Sequence, residues 1–236
     1  MWPFKDKTKV DTKTKEYPQW RVLGQDFESD DLDGYLSGHF RLVVDEIRGM
    51  LPQDLFSHLF IAGGFAANVA GITTSHGDVD LFCTQDNVFA RAKTYLLKHG
   101  CVVIEEVDTG YSKAVKLDLN GVSYHLVDAT NVSASHDITE LLTRFDLNWC
   151  MAGINLYHDS IYVHKDSLLT VPKVNINFVH DNPDNLIRRL GKYRDRLKRT
   201  PDLETCDRMI QIAKNRAKDQ NKNQNSGPSY LDENTY

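Results

Sequence analysis

Hydrophobic positions along this chain change their period several times, and each change marks an element. Between about Asp30 and Leu51 the residues Leu32, Leu36, Val43, Ile47 and Leu51 recur at helical spacing, with Pro52 behind them, which predicts a helix. Leu59 to Ala62 is a continuous apolar run ending in Gly63-Gly64, the pattern of a buried strand feeding a tight turn. Phe65 to Ala70 reads as a short helix closed by Gly71. After the polar stretch Thr73 to Gly77, the segment Asp78-Val79-Asp80-Leu81-Phe82-Cys83 alternates as a strand does. Asp86 or Asn87 can cap a helix that runs to about His99 and stops at Gly100, and Cys101 to Val107 is a further strand. Residues 113–119 and 122–128 alternate on either side of Asn120-Gly121, a strong signal for a two-residue hairpin. A helix from Asp137 to Thr143 and a strand pair, 145–155 with 160–164, complete this half.

Beyond Pro172 the helical period returns. Asp181 or Asn182 can cap a helix with Pro183 at its first position and an apolar stripe of Leu186, Leu190, Tyr193 and Leu197. Thr200-Pro201 opens another, with Met209, Ile210 and Ala213 inward. From about Asp219 the chain is rich in Asn, Gln, Lys and Ser, which predicts disorder. The expected organisation is a polar arm over 1–28, a core over 29–175, a basic helical segment over 176–218 and a tail over 219–236.

Composition narrows the picture. A hydrophobic fraction of 41% is enough for one sizeable core. No apolar run approaches the ~20 residues of a membrane span, and no apolar stretch follows the N-terminal residues as in a secretory leader; the expectation is a cytoplasmic protein with no membrane partner. Cys83, Cys101, Cys150 and Cys206 match no zinc spacing and contain no C-x-x-C, so they read as buried, reduced thiols. Residues 185–222 carry twelve Lys and Arg against five Asp and Glu, a local +7 in a chain of net −5, which leaves −12 for the rest. An acidic body with a basic helical segment suits an enzyme that holds metal ions in one place and an anionic substrate in another.

Candidate chemistry lies in the order strand, Gly63-Gly64, short helix, loop, Asp78-Val79-Asp80. Two glycines let the backbone turn sharply and approach a ligand closely. The helix behind them directs free N–H groups and its positive end at that ligand, which favours a phosphate. Residues two apart in a strand face the same way, so Asp78 and Asp80 project together while Val79 and Leu81 pack beneath. Paired carboxylates so placed favour a cation between them. Mg²⁺, or Mn²⁺ in its place, suits oxygen donors shared with substrate phosphates. A calcium EF-hand reading fails, because its sixth and twelfth positions counted from Asp78 are Cys83 and Phe89.

Ala62-Gly63-Gly64 and, after thirteen intervening residues, Asp78-Val79-Asp80-Leu81 resemble the signature of the DNA polymerase β-like nucleotidyltransferase superfamily. The resemblance implies an α+β fold over about residues 55–165: a mixed, palm-like sheet with packed helices, followed here by a C-terminal helical segment. It implies attack by an acceptor hydroxyl on the α-phosphate of a nucleoside triphosphate, with metal ions activating the hydroxyl and holding the triphosphate. The acceptor would be an RNA or tRNA end, a protein side chain or a small molecule; the basic segment tilts the expectation toward RNA. The rival reading is a catalytically inactive member serving as a binding or regulatory protein.

The superfamily usually carries a third acidic residue on a neighbouring strand. In the Asn120-Gly121 hairpin the expected pairs are Leu119 with Val122, Asp118 with Ser123 and Lys116 with His125. Val115, Leu117, Tyr124 and Leu126 then share a core-like face; Lys116, Asp118, Ser123 and His125 share a polar one. His125 stands where many members place the third Asp. Asp118 and Asp146 remain as alternatives. Asp146 lies in Phe145-Asp146-Leu147-Asn148-Trp149-Cys150, which resembles a motif of viral and phage proteins predicted to be nucleotidyltransferases. Those proteins tend to carry Arg-x-x-Lys-Tyr nearer the C-terminus, matched here by Arg189-Leu190-Gly191-Lys192-Tyr193. The resemblance makes Asp146 a metal ligand with Asp78 and Asp80, and lets Arg189, Lys192 and Tyr193 reach the triphosphate or base. The bland alternative makes Leu190 and Tyr193 core and the cations a solvated face. His76, two residues before Asp78, is placed either to touch phosphate or acceptor or to serve its loop.

Overall fold

Alternating residues in this chain close into one eight-stranded mixed sheet. Its strands are β1 (Phe27–Asp31), β2 (Leu59–Ala62), β3 (Val79–Cys83), β4 (Val102–Asp108), β5 (Lys113–Leu119), β6 (Val122–Asp128), β7 (Ala152–Asn155) and β8 (Ser160–His164). Their spatial order is β1-β8-β7-β2-β3-β6-β5-β4, with β3 and β6 parallel and the other neighbours antiparallel. Among the described residues the helices are α1 (Gly38–Met50), α2 (Gly64–Val69), α3 (Val88–Lys98), α4 (Ile138–Thr143), α5 (Pro183–Arg194) and α6 (Leu203–Asn225). The computed structural model describes residues 26–108, 113–130, 137–174 and 183–225, with 219–225 as backbone only.

Period 2 decides which side of the sheet is core. Leu59, Ile61, Val79, Leu81, Val115, Leu117, Tyr124 and Leu126 turn to one face and pack with Val43, Val44 and Ile47 of α1 and with Val88, Ala92 and Leu96 of α3. On the opposite face, α4 covers the β2 end through Ile138, Leu141 and Leu142 against Phe60 and Ala62. That packing is close: a Cβ on Gly153 would meet Ile138 Cδ1 at 2.9 Å. Further along the same face, Asp80, Lys116 and His125 remain partly exposed.

Helices α5 and α6 build a second core with Leu147, Trp149, Cys150, Leu186, Leu190, Tyr193 and Met209. They are tied back to the main body by main-chain hydrogen bonds. Thr74 N donates to Arg196 O at 2.7 Å, and Lys198 N donates to Ile72 O at 3.0 Å. Those bonds anchor the basic segment to the loop that leads into Asp78.

The expected hairpin is present in its expected register, with Asn120 and Gly121 both at positive φ (54° and 84°) and Asp118 Oδ1 accepting from Gly121 N. All four cysteines are free and buried. Other expectations need correction. The predicted helix over 30–51 is three elements. Strand β1 pairs with β8, a 3-10 turn spans Leu32–Gly34, and α1 begins only at Gly38. Asp31 accepts from Asp33 N and Leu32 N donates to Asp159 O, so the apolar spacing of Leu32 and Leu36 belongs to a buried turn. The 1–28 arm therefore loses Phe27 and Glu28 to the sheet.

The predicted strand over 145–155 begins only at Ala152; Asn148–Cys150 is a 3-10 helix. Here side chains replace the ladder. Asn148 Nδ2 donates to Asp166 O at 2.6 Å, its Oδ1 accepts from Lys173 N at 2.8 Å, and Trp149 Nε1 donates to Leu169 O at 2.8 Å. Asn87 precedes α3 in a left-handed conformation without a side-chain cap bond. The last helix starts after Asp202, whose carboxylate accepts from Thr205 N and Oγ1, instead of at Thr200-Pro201. It continues to Asn225, past the boundary at 218, because Lys and Gln sustain a helix and the first breaker is Gly227-Pro228. Asp181 and Asn182, the arm over 1–25 and the tail over 226–236 lie outside the described residues.

Candidate active site

Gly63 is where strand β2 turns into helix α2, at φ 79° and ψ −137°, a conformation essentially restricted to glycine. Its N–H donates to Ala152 O at 3.0 Å and its carbonyl accepts from Ala67 N at 2.9 Å. A Cβ on Gly63 would lie 3.2 Å from Asp80 Oδ2, and one on Gly64 would lie 3.3 Å from Tyr193 Oη. Both glycines therefore admit functional side chains into contact with the backbone.

Asp80 is brought there by register: it pairs with Ala62, the last residue of β2. Asp78 immediately precedes β3 and is two residues away, on the same face. Each carboxylate has a basic partner from the β5–β6 hairpin. Lys116 Nζ is 3.1 Å from Asp78 Oδ2, and His125 Nδ1 is 3.1 Å from Asp80 Oδ1. His125 is the parallel register partner of Asp80. Partial burial acts to raise the Asp78 pKa, but Ser123 and Lys116 beside it overcome burial and hold the carboxyl below its ordinary value.

The C-terminal segment closes the other side. Positions for a Cβ on Gly77 lie 3.4 Å from Lys192 Nζ and 3.6 Å from Arg196 Nη1. Burial depresses the Lys192 pKa and Arg196 adds to that effect, while Asp80 opposes it.

Arg189 and Asp146 are placed differently from Asp78 and Asp80: they pair with each other. Arg189 Nε is 2.9 Å from Asp146 Oδ2, its Nη2 donates to Cys150 Sγ at 3.2 Å, and its guanidinium lies 5.9 Å from the Tyr193 ring centroid. The Asp146 side chain is 1% exposed. Burial pushes its carboxyl up, with Arg189 opposing. Burial also disfavours the Arg189 charge, but Cys150 and Asp146 more than offset this and keep it cationic. Burial drives the Cys150 thiol to about 11. The structure thus brings Gly63, Gly64, Asp78, Asp80, Lys192 and Tyr193 together, and places Arg189 with Asp146 behind Tyr193. Asp118 lies on β5, separated from β3 by β6, and serves the hairpin turn. Among the described residues no three His, Cys, Asp or Glu side chains converge as a metal cluster. Lys116 and His125, left by the sequence between solvent and site, belong to the site. Arg196, in the turn that follows α5 and four residues beyond Lys192, was not singled out; its spacing from Lys192 was the available signal.

No protein-family description and no curated protein sequence matches this chain. Solved structures do match it in fold. A tRNA-processing enzyme in an apo form aligns with TM-score 0.53 and 16% identity, over 76% of this chain and 48% of that one. A CCA-adding enzyme with ATP aligns with TM-score 0.54 and 18% identity, over 79% and 45%. The Thermotoga maritima CCA-adding enzyme complexed with tRNA aligns with TM-score 0.53 and 17% identity, over 78% and 45%. The matched part is therefore less than half the length of each of those chains. The likeness establishes the α+β nucleotidyltransferase fold. No helix among the described residues is long and apolar enough to cross a membrane.

Proposed function

We propose that this protein is a nucleotidyltransferase that moves a nucleoside monophosphate from a triphosphate to a hydroxyl, an RNA or tRNA end being the favoured acceptor. The observation that carries the reading is the convergence of Asp78 and Asp80 on the Gly63-Gly64 turn, with Asp80 in near-contact with the Gly63 backbone. Support for the nucleotide and RNA comes from fold neighbours solved with ATP, CTP and tRNA.

The donor set fits a divalent cation. Asp78 and Asp80 are adjacent, partly exposed carboxylates, and Asp78 is held ionised; two such oxygens with substrate phosphates and water suit Mg²⁺ or Mn²⁺. When bound, the ion would supply charge stabilisation for the phosphates and a more acidic acceptor hydroxyl. Lys116 and His125 now contact the two carboxylates and would yield them to it. The glycine turn leaves room for phosphate oxygens. Lys192 and Arg196 would bind the triphosphate charge, and Tyr193 would position the nucleotide against Gly64. In the reaction the acceptor oxygen bonds to the α-phosphorus, the bond from that phosphorus to its bridging oxygen breaks, pyrophosphate leaves and the hydroxyl proton passes to solvent. Asp146, with Arg189, would act by positioning Tyr193.

One observation favours the second reading, an inactive binding module: the register partner of Asp80 is His125, where a third carboxylate was expected. Incubation with each triphosphate labelled at the α-phosphate, Mg²⁺, total RNA and cell extract separates the two. Transfer predicts label in RNA or protein that is lost in Asp80→Asn. Triphosphate- and Mg²⁺-dependent thermal stabilisation without any transferred label would favour the module.

A further inference from the structure

Next to the carboxylates, and distinct from them, lies a cluster of rings. His39 and His76 stack with centroids 5.6 Å apart and planes 8° from parallel. Phe65, fully buried, meets His76 edge-on at 4.9 Å, and Phe40 packs against Phe65 at 5.8 Å and against His76 at 6.2 Å. His76 Nδ1 donates to Gly77 O at 2.8 Å, which pins the ring two residues before Asp78. His39 is the exposed outer leaf. Core packing gives no reason for two parallel imidazoles at the surface, whereas a flat, half-polar ring pair offers a π-face to a base.

Phe40 is also a wall of a cleft of about 990 Å³ that extends to Lys198 and Arg199. Arg199 is pinned by donating to Leu168 O at 2.6 Å. The acidic residue of this cleft, Asp30, is turned onto the Tyr35 hydroxyl and the Asp31 amide. The volume is at the top of the range for one small ligand, and the cleft is continuous with the ring pair through Phe40. Stacking surface and cations in one track are the features that hold single-stranded nucleic acid.

We propose that the His39–His76 ledge and the adjoining Lys198–Arg199 cleft take the single-stranded 3′ end of a polynucleotide acceptor, stacking its bases on the imidazoles and passing its phosphates along the two cations. The inference rests on the nucleotidyl-transfer reading for the purpose of the site, but its test does not require transfer. Fluorescence anisotropy of a labelled single-stranded RNA is measured with the full chain in EDTA, alongside an RNA of the same backbone with abasic terminal positions. The double variant His39→Ala/His76→Ala should bind the normal RNA roughly tenfold more weakly. It should no longer distinguish normal from abasic ends, while its thermal midpoint and its stabilisation by triphosphate with Mg²⁺ stay as in the parent. Lys198→Glu should weaken binding and flatten its salt dependence. Should the His76 change unfold the chain, the exposed His39→Ala and the abasic comparison on the parent protein give the same reading. Equal affinity of the parent for normal and abasic ends overturns the proposal, as does a double variant that binds like the parent. Label transferred to a protein or small molecule by a chain that binds no RNA overturns it too, and leaves transfer standing. RNA binding lost in the variants, with no transfer to any acceptor, supports the ledge and sinks the transfer reading.

Discussion

Replacing Arg189 by Met keeps much of the side-chain volume and removes the charge facing Asp146. The Asp146 side chain is 1% exposed and its ion-pair partner at 2.9 Å is lost. Breaking a buried pair from one side costs about 3–5 kcal/mol, so a loss of about 3 kcal/mol is expected at about pH 7.5, protonation of Asp146 setting the upper limit. The sign with pH follows from burial, which already raises the Asp146 pKa against the opposition of Arg189. Without Arg189 it rises further. The folded state then favours the protonated acid, and stability present at low pH is lost as pH climbs through the raised value. The deficit of Arg189→Met should therefore shrink at about pH 5.5. Asp146→Asn, which strands the cation, should also destabilise. The double variant should regain most of the loss, giving a coupling of about 2 kcal/mol or more. Urea unfolding followed by tryptophan fluorescence reads this directly, since Trp149 is buried in the same cluster. Additive single effects, or singles costing less than about 1 kcal/mol, would refute the ion-pair account. A fully stable Asp146→Asn that has lost activity by orders of magnitude would make Asp146 a metal ligand.

Asp78→Asn and Asp80→Asn should keep the fold and lower transfer about a hundredfold or more, as expected for losing a preorganised electrostatic contact; wild-type rates in either purified variant would remove the mechanism. Gly63→Ala forces a Cβ at φ 79° to within 3.2 Å of Asp80 Oδ2, so it should cost about 1–3 kcal/mol in denaturant unfolding and abolish transfer together. Lys116→Ala should destabilise at neutral pH, and the difference from the parent should fade as pH falls below the ordinary Asp78 value of 3.8 and through its depressed folded value, because the carboxyl contributes only while ionised. With Cys150 and Cys206 each pushed to about 11 by burial, a thiol reagent should leave the native chain unlabelled and react with all four cysteines after denaturation; fast native labelling would contradict their burial.

Local pattern was enough for the elements whose reasons are local. The Asn120-Gly121 hairpin and its register follow from turn stereochemistry and strand alternation, and the core face of β3 follows from period 2. The Gly63-Gly64 turn and the common face of Asp78 and Asp80 were legible for the same reason, since both depend on residues within two positions. Leu32 and Leu36 misled because helical spacing also suits a buried turn, and only pairing of β1 with β8 distinguishes them. The 145–151 segment misled because Asn148 and Trp149 satisfy it through distant carbonyls at Asp166 and Leu169. What tertiary structure alone decided is who meets whom. Parallel pairing of β3 with β6 sets His125 against Asp80, and Lys116 reaches Asp78 from β5. Main-chain bonds at Ile72 and Thr74 bring Lys192 and Tyr193 to the glycine turn while Arg189 turns inward to Asp146. Sequence alone singled out Gly63, Gly64, Asp78 and Asp80 for the proposed site, because side-chain type and local period are written along the chain. The fold decided their partners, because a charge responds to its neighbours in space, and those of Asp78 and Asp80 lie 38 and 45 residues away.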